Sequence, residues 1–101
     1  MLYYKLIIYV TFENNMFILE LSVIIGKELR RRRLLQNKSM KALAYESDME
    51  YMQLSRIELG KINTTVFQLL KLCTALGIEI SDLFNKIESD LRYKKIKQEL
   101  K

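Results

Sequence analysis

Between Val23 and Phe84 the apolar residues recur at helical spacing, no proline interrupts them, and only short polar punctuation breaks the pattern. A stretch of that kind is committed to short helices rather than to a sheet. Each break has a local reason. Ser39 precedes Met40-Lys41-Ala42-Leu43-Ala44, and its hydroxyl is placed to accept a hydrogen bond from a free first-turn amide. Asp48 suits a tight turn, because a short polar side chain tolerates left-handed backbone better than most residues other than glycine. Gly60 and Gly77 read as helix stops, Thr65 as the cap of the helix between them, and Ser81 as the start of a last short turn through Asp82-Leu83-Phe84. The spacing predicts five short helices.

The flanks are different. Leu2 to Phe12 is rich in Tyr, Ile and Val, and Glu13-Asn14-Asn15 could turn it back against Met16 to Ile25 as a β-hairpin. Alternatively the second run continues into Gly26-Lys27-Glu28-Leu29 as the first helix, and from about Phe17 onward the helix is preferred. The run Leu6 to Phe12 is short and lacks a small-residue cleavage site, which speaks against a secretory signal. Lys5, Glu13, Asn14, Asn15 and Glu20 interrupt any span of membrane length, so no membrane partner is expected, with attachment through Leu2 to Phe12 the weaker alternative. Met16 is an alternative start, which leaves open whether residues 1–15 belong to the functional protein. At the other end, Asn85 to Lys101 is charged and helix-prone. As one helix it places Ile87 and Leu91 on one side and Tyr93, Ile96 and Leu100 on another, so it is expected to pack weakly, as a solvated basic tail or a dimerisation element. The division is a 1–22 extension, a 23–84 core domain and an 85–101 helical tail.

A chain of 101 residues has room for one modest core. Lys and Arg number 17 against 12 Asp and Glu, a net charge of +5. Up to Leu21 there is one cation and two anions; Ser22 to Phe84 has ten against seven, and the rest six against three. A basic excess of this kind suits nucleic acid or an anionic surface. The absence of histidine and the single cysteine remove histidine-based catalysis and a zinc site, so neither an enzyme nor a cofactor or metal is expected. Cys73, inside an apolar helical pattern, is expected to be a buried structural thiol, and with no possible intrachain disulfide a reducing, cytoplasmic setting fits. The stripe Val66, Leu69, Leu70, Leu72, Cys73, Leu76, Ile78, Leu83 and Phe84 reads as core.

The most informative stretch is Leu43 to Lys61. Two short helices joined by a three-residue turn must cross closely, which demands apolar inward positions and one small residue on the first helix. Leu43, Met49, Leu54 and Ile57 supply the first and Ala44 the second. With Leu54 and Ile57 inward, helical geometry turns Tyr51, Met52, Ser55 and Arg56 outward. If that face meets DNA, Arg56 can donate two bonds to guanine, and Tyr51 and Met52 can touch a thymine methyl or a sugar; otherwise Arg56 is a surface ion-pair residue. Lys41 can reach a phosphate. The run Arg30 to Arg33 spreads around its helix, so most of it should be solvated.

This segment resembles the Cro and phage-repressor (XRE-like) helix-turn-helix domain, above all in Ser55-Arg56-Ile57-Glu58-Leu59-Gly60-Lys61. The resemblance extends from Ile25-Gly26 through Asn63 and Leu69-Leu70-Lys71-Leu72, across Ala75-Leu76-Gly77, to Asp82-Leu83-Phe84. It implies an all-α, five-helix bundle of the lambda-repressor-like DNA-binding type, carrying an N-terminal apolar extension and a charged C-terminal tail. It also implies a recognition helix of about Glu50 to Leu59 in the major groove. The base-reading residues would be Tyr51, Met52, Ser55 and Arg56. Lys61, Asn63 and Lys41 would contact the DNA backbone, and Arg33 and Glu58 would form a partly buried structural ion pair. The sequence departs from the family's usual glycine at Asp48, leucine at Arg32 and Lys38, glutamine at Met40 and proline at Thr64. Met40 cannot make the phosphate bond of the usual glutamine, and Glu50 is expected to cap the recognition helix rather than face phosphate. The function implied is a dimeric, sequence-specific transcriptional regulator. The alternative is an antitoxin-type protein that binds a toxin partner and autoregulates.

Overall fold

A computed structural model of the chain describes residues 20–100, which form helices joined by short turns and loops. Helix α1 occupies 20–35. It is followed by α2 (Met40–Glu46), α3 (Tyr51–Glu58), α4 (Val66–Leu76), α5 (Ile80–Glu88) and α6 (Leu91–Glu99). The hairpin considered for Leu2 to Ile25 falls mostly outside the described residues; its last part, 20–25, is helix.

Local chemistry sets the helix ends. Ser39 Oγ accepts from the Ala42 amide at 3.0 Å and starts α2. Asp48 takes φ 51, the left-handed turn residue between α2 and α3. Thr65 and Gln68 form a reciprocal capping box on α4, each satisfying a first-turn amide at 3.1 Å. Gly77 ends α4 in the left-handed region, at φ 66.

Every helix contributes to one core, built on Ile24, Ile25, Leu29, Leu43, Leu54, Ile57, Leu69, Leu72, Leu76, Leu83, Ile87 and Ile96. Cys73 is buried among them; burial pushes its thiol up, partly countered by the charge of Arg32, so it stays a protonated packing group.

Three expectations need correction. The tail is not one continuous helix. A break at Ser89-Asp90 separates α5 from α6, so the apolar phases before and after it are independent. Ile87 enters the core from α5 and Ile96 from α6, with Tyr93 packed beside them, and the described residues form six helices rather than five. The turn expected to stop at Phe84 runs on to Glu88. The stripe read as core is also too broad: Val66 is 70% exposed, and Leu70 and Phe84 are exposed too. On α4 the buried set is Leu69, Leu72, Cys73 and Leu76, a narrow i, i+3, i+4, i+7 stripe. Leu70 sits one residue off that stripe, and Val66 opens the helix.

Candidate nucleic-acid interface

The site is built around α3, and its two faces do different work. Leu54, Ile57 and Glu58 are buried. On the opposite side Tyr51 is 50% and Met52 58% exposed, Arg56 is exposed and Ser55 half-buried. Arg56 stands in the last turn, where a cation also complements the negative end of the helix dipole.

The C-terminal end of α3 is held by close approach and by charge. A Cβ on Gly26 of α1 would lie 2.3 Å from the Ile57 carbonyl oxygen and 2.7 Å from that of Glu58, so only glycine lets the two backbones meet there. A Cβ on Gly60, at φ 72, would lie 2.6 Å from Val23 Cα. Arg33 and Glu58 meet in a two-pronged bond: Nε donates to Oε2 at 2.8 Å and Nη2 to Oε1 at 2.9 Å. Their side chains are only 8% and 3% exposed. Arg33 Nη1 also donates to the Lys38 carbonyl at 2.8 Å, tying α3 to the α1–α2 loop.

The N-terminal end is held more lightly. Glu50 occupies the N-cap position, but its carboxylate makes no capping bond, contrary to expectation. Glutamate is longer than the Asp, Asn, Ser and Thr side chains that reach back to a first-turn amide. The turn before it is tethered across to α4, where Lys71 Nζ donates to the Asp48 carbonyl at 2.7 Å.

The candidate backbone contacts lie around this helix. Lys41 and Tyr51 line one open groove with Arg33, Ser39 and Met40, which brings the first turn of α2 beside the mouth of α3. Lys61 is exposed just beyond α3, and its amide donates to the Arg56 carbonyl at 2.9 Å. Asn63 is exposed in the following loop.

The arginine run is more engaged than its spacing suggested. Arg30 is exposed, but Arg31 and Arg32 both bond the carboxylate of Glu28, and Arg33 is buried on Glu58. Burial raises the Glu28 pKa, but the hydrogen bonds and charges of Arg31 and Arg32 together outweigh it and hold the carboxyl below its ordinary value. Glu28 lies three and four residues before its partners, a helical ion-pair spacing that the sequence displays. Lys38 is a second unforeseen participant. Its ammonium donates to Glu46 at 2.6 Å and to the Ala75 carbonyl at 2.9 Å, while Gln36 donates to the Leu76 carbonyl. The two cations standing where the family has leucine, Arg32 and Lys38, are thus each matched by a glutamate.

Residues 29–83 match the helix-turn-helix family model. The chain belongs to that family. Solved structures agree with the assignment. The restriction-modification controller protein C.AhdI from Aeromonas hydrophila is 35% identical over 62% of this chain and 96% of its own, with a TM-score of 0.61. The clp gene regulator ClgR from C. glutamicum is 26% identical over 70% of this chain and 95% of its own, with a TM-score of 0.65. No curated protein sequence matches the chain. Among the described residues, no helix is long and apolar enough to cross a membrane.

Proposed function

We propose that this helix-turn-helix protein is a sequence-specific, DNA-binding transcriptional regulator, acting as a dimer in the cytoplasm, which inserts α3 into the major groove of an operator. The observation that carries this is the division of α3. One face is locked into the core by Leu54, Ile57 and the Glu58–Arg33 pair, while the other offers Tyr51, Met52 and Arg56 to solvent beside the half-buried Ser55. A generic surface helix does not need a buried two-pronged ion pair to fix its axis; a helix that must register against base edges gains from one. In this scheme Arg56 donates to guanine O6 and N7, Tyr51 and Met52 make apolar contacts, and Lys41, Lys61 and Asn63 set the register on the phosphates. No catalytic step is involved. The relatives described as regulators, C.AhdI and ClgR, are consistent with this role.

The test is fluorescence anisotropy of wild type and Arg56→Ala against DNA from upstream of the protein's own coding sequence and against a scrambled duplex, over a range of salt. The substitution should cost about 1–3 kcal/mol of discrimination while nonspecific, salt-dependent binding persists. Equal binding of both duplexes by wild type would overturn the proposal. Sedimentation equilibrium with and without operator reads the dimer.

A second reading, an antitoxin-type protein that covers a toxin partner and regulates its own operon, draws on the first turns of α4. Val66, Phe67 and Leu70 are all exposed there, a neighbouring apolar set suited to a protein surface. Co-purification with the product of an adjacent reading frame, lost on replacing Phe67 with Ser, would favour it.

A further inference from the structure

The bond from Lys71 to the turn is not part of the DNA-reading face, and it has a use there. Asp48 stands at φ 51, in the position where the resembling family has glycine, and two residues later Glu50, the N-cap of α3, makes no side-chain bond. The turn's own amides point back into the preceding helix: Met49 donates to the Ala44 carbonyl at 2.9 Å and Asp48 to that of Tyr45 at 3.2 Å. Neither fixes the turn against the third helix of the bundle's centre, α4. Lys71 does so, with Nζ 2.7 Å from the Asp48 carbonyl oxygen. Its ammonium is steered by its own helix, lying 5.6 Å from the centroid of the Phe67 ring one turn earlier.

We propose that Lys71 is a positioning residue for the recognition helix: from α4 it holds the Asp48 carbonyl and thereby fixes the angle at which Tyr51 and Met52 meet DNA. This rests on the DNA-regulator proposal above. The two tethers of α3 then sit at opposite ends and on different helices, Arg33 of α1 at the C-terminal end and Lys71 of α4 at the N-terminal turn. With Lys71 removed, the C-terminal anchor remains and α3 pivots about it, so the error in placement grows toward Tyr51 and Met52.

Lys71→Met and Lys71→Arg separate this role from two simpler ones. Both variants and wild type are titrated against a duplex selected by wild type from a random pool and against a scrambled duplex, at several salt concentrations. Amide exchange is measured on the free proteins at Met49 and Leu54, whose amides bond Ala44 and Glu50, and at Leu59, whose amide bonds Ser55. Lys71→Met should lower the preference for the selected duplex about fivefold, the equivalent of one hydrogen bond, with an unchanged salt slope. It should speed exchange at Met49 and Leu54 but not at Leu59, and Lys71→Arg should restore both readouts. Equal weakening on both duplexes, with a salt slope smaller by about one, would make Lys71 a phosphate contact and overturn the proposal. A lowered Tm with preference and exchange pattern intact would make it merely structural and also overturn it. Wild type without any preference, yet with exchange at Met49 and Leu54 responding to Lys71→Met, would remove the DNA role while leaving the tether. Preference in wild type with no exchange response would remove the tether alone.

Discussion

The two ends of α3 are built on opposite terms. At the C-terminal end, backbone meets backbone through Gly26 and Gly60, and the buried Arg33–Glu58 pair closes the contact. At the N-terminal end a non-glycine residue takes a left-handed turn, the N-cap side chain makes no bond, and the tether is one exposed lysine. The difference teaches where such a helix is allowed to give. A buried charge pair beside a glycine contact has one geometry, since any shift strands a charge or brings atoms into collision. A single amine on a carbonyl still sets the position of the turn, but within a wider range of geometries.

The strongest way to break this comparison is to cut the anchored end. Arg33→Ala should destabilise the domain by about 3–5 kcal/mol, read as a fall in the urea midpoint, because Glu58 is left charged and buried. A loss below about 1 kcal/mol would mean that the C-terminal end is no better held than the other. Next, Gly26→Ala should cost about 1–3 kcal/mol, the usual penalty of overpacking, since the new methyl meets backbone carbonyls that cannot rotate away. Thermal melts set beside Gly77→Ala compare the two kinds of cost: Gly26 is helical, so its variant reports crowding, whereas a Cβ at the left-handed Gly77 meets nothing within 4 Å and reports backbone strain alone.

The loosely held end should respond in the other direction. Glu50→Ser supplies the missing cap and should raise stability by about 1 kcal/mol, seen as a higher Tm. A neutral or negative result would show that another group already satisfies those amides. The smallest effect belongs to neither end. Glu28, held below its ordinary 4.5 by Arg31 and Arg32 despite burial, contributes stability that is fully present above its unfolded pKa. That contribution disappears as pH falls through the lower folded value. Stability of wild type should therefore decline below about pH 4.5, and the Glu28→Gln variant should lose part of that decline.

How much of this was legible in the sequence follows from how local each signal is. Ser39, Asp48, Gly60, Thr65 and Gly77 act on backbone within a few residues, and the structure places all five at helix ends or turns. The inward set Leu43, Leu54 and Ile57 was legible because its spacing is helical. Illegible were Lys71 on Asp48 and Gln36 on Leu76, 23 and 40 residues apart, for which no pattern exists along the chain; Arg33 on Glu58, 25 residues apart, came from the family resemblance and not from spacing. Glu50 misled because position suggested a cap that side-chain length does not deliver. The tail misled because a helical wheel assumes continuity, and Ser89-Asp90 interrupts it. Tyr51, Met52, Ser55 and Arg56 were named from the phase of α3, and the helix carries them on its outer side.

That outer side has a consequence for how such a protein can change. Its three exposed members make little of the fold's stability, and substitutions at solvent-facing positions usually shift stability by no more than about 0.5 kcal/mol. Tyr51, Met52 and Arg56 are therefore free to be exchanged like the teeth of a key cut into an unchanged blank. Under the proposed function, exchanging these few residues readdresses the scaffold to a new DNA sequence at little cost in stability.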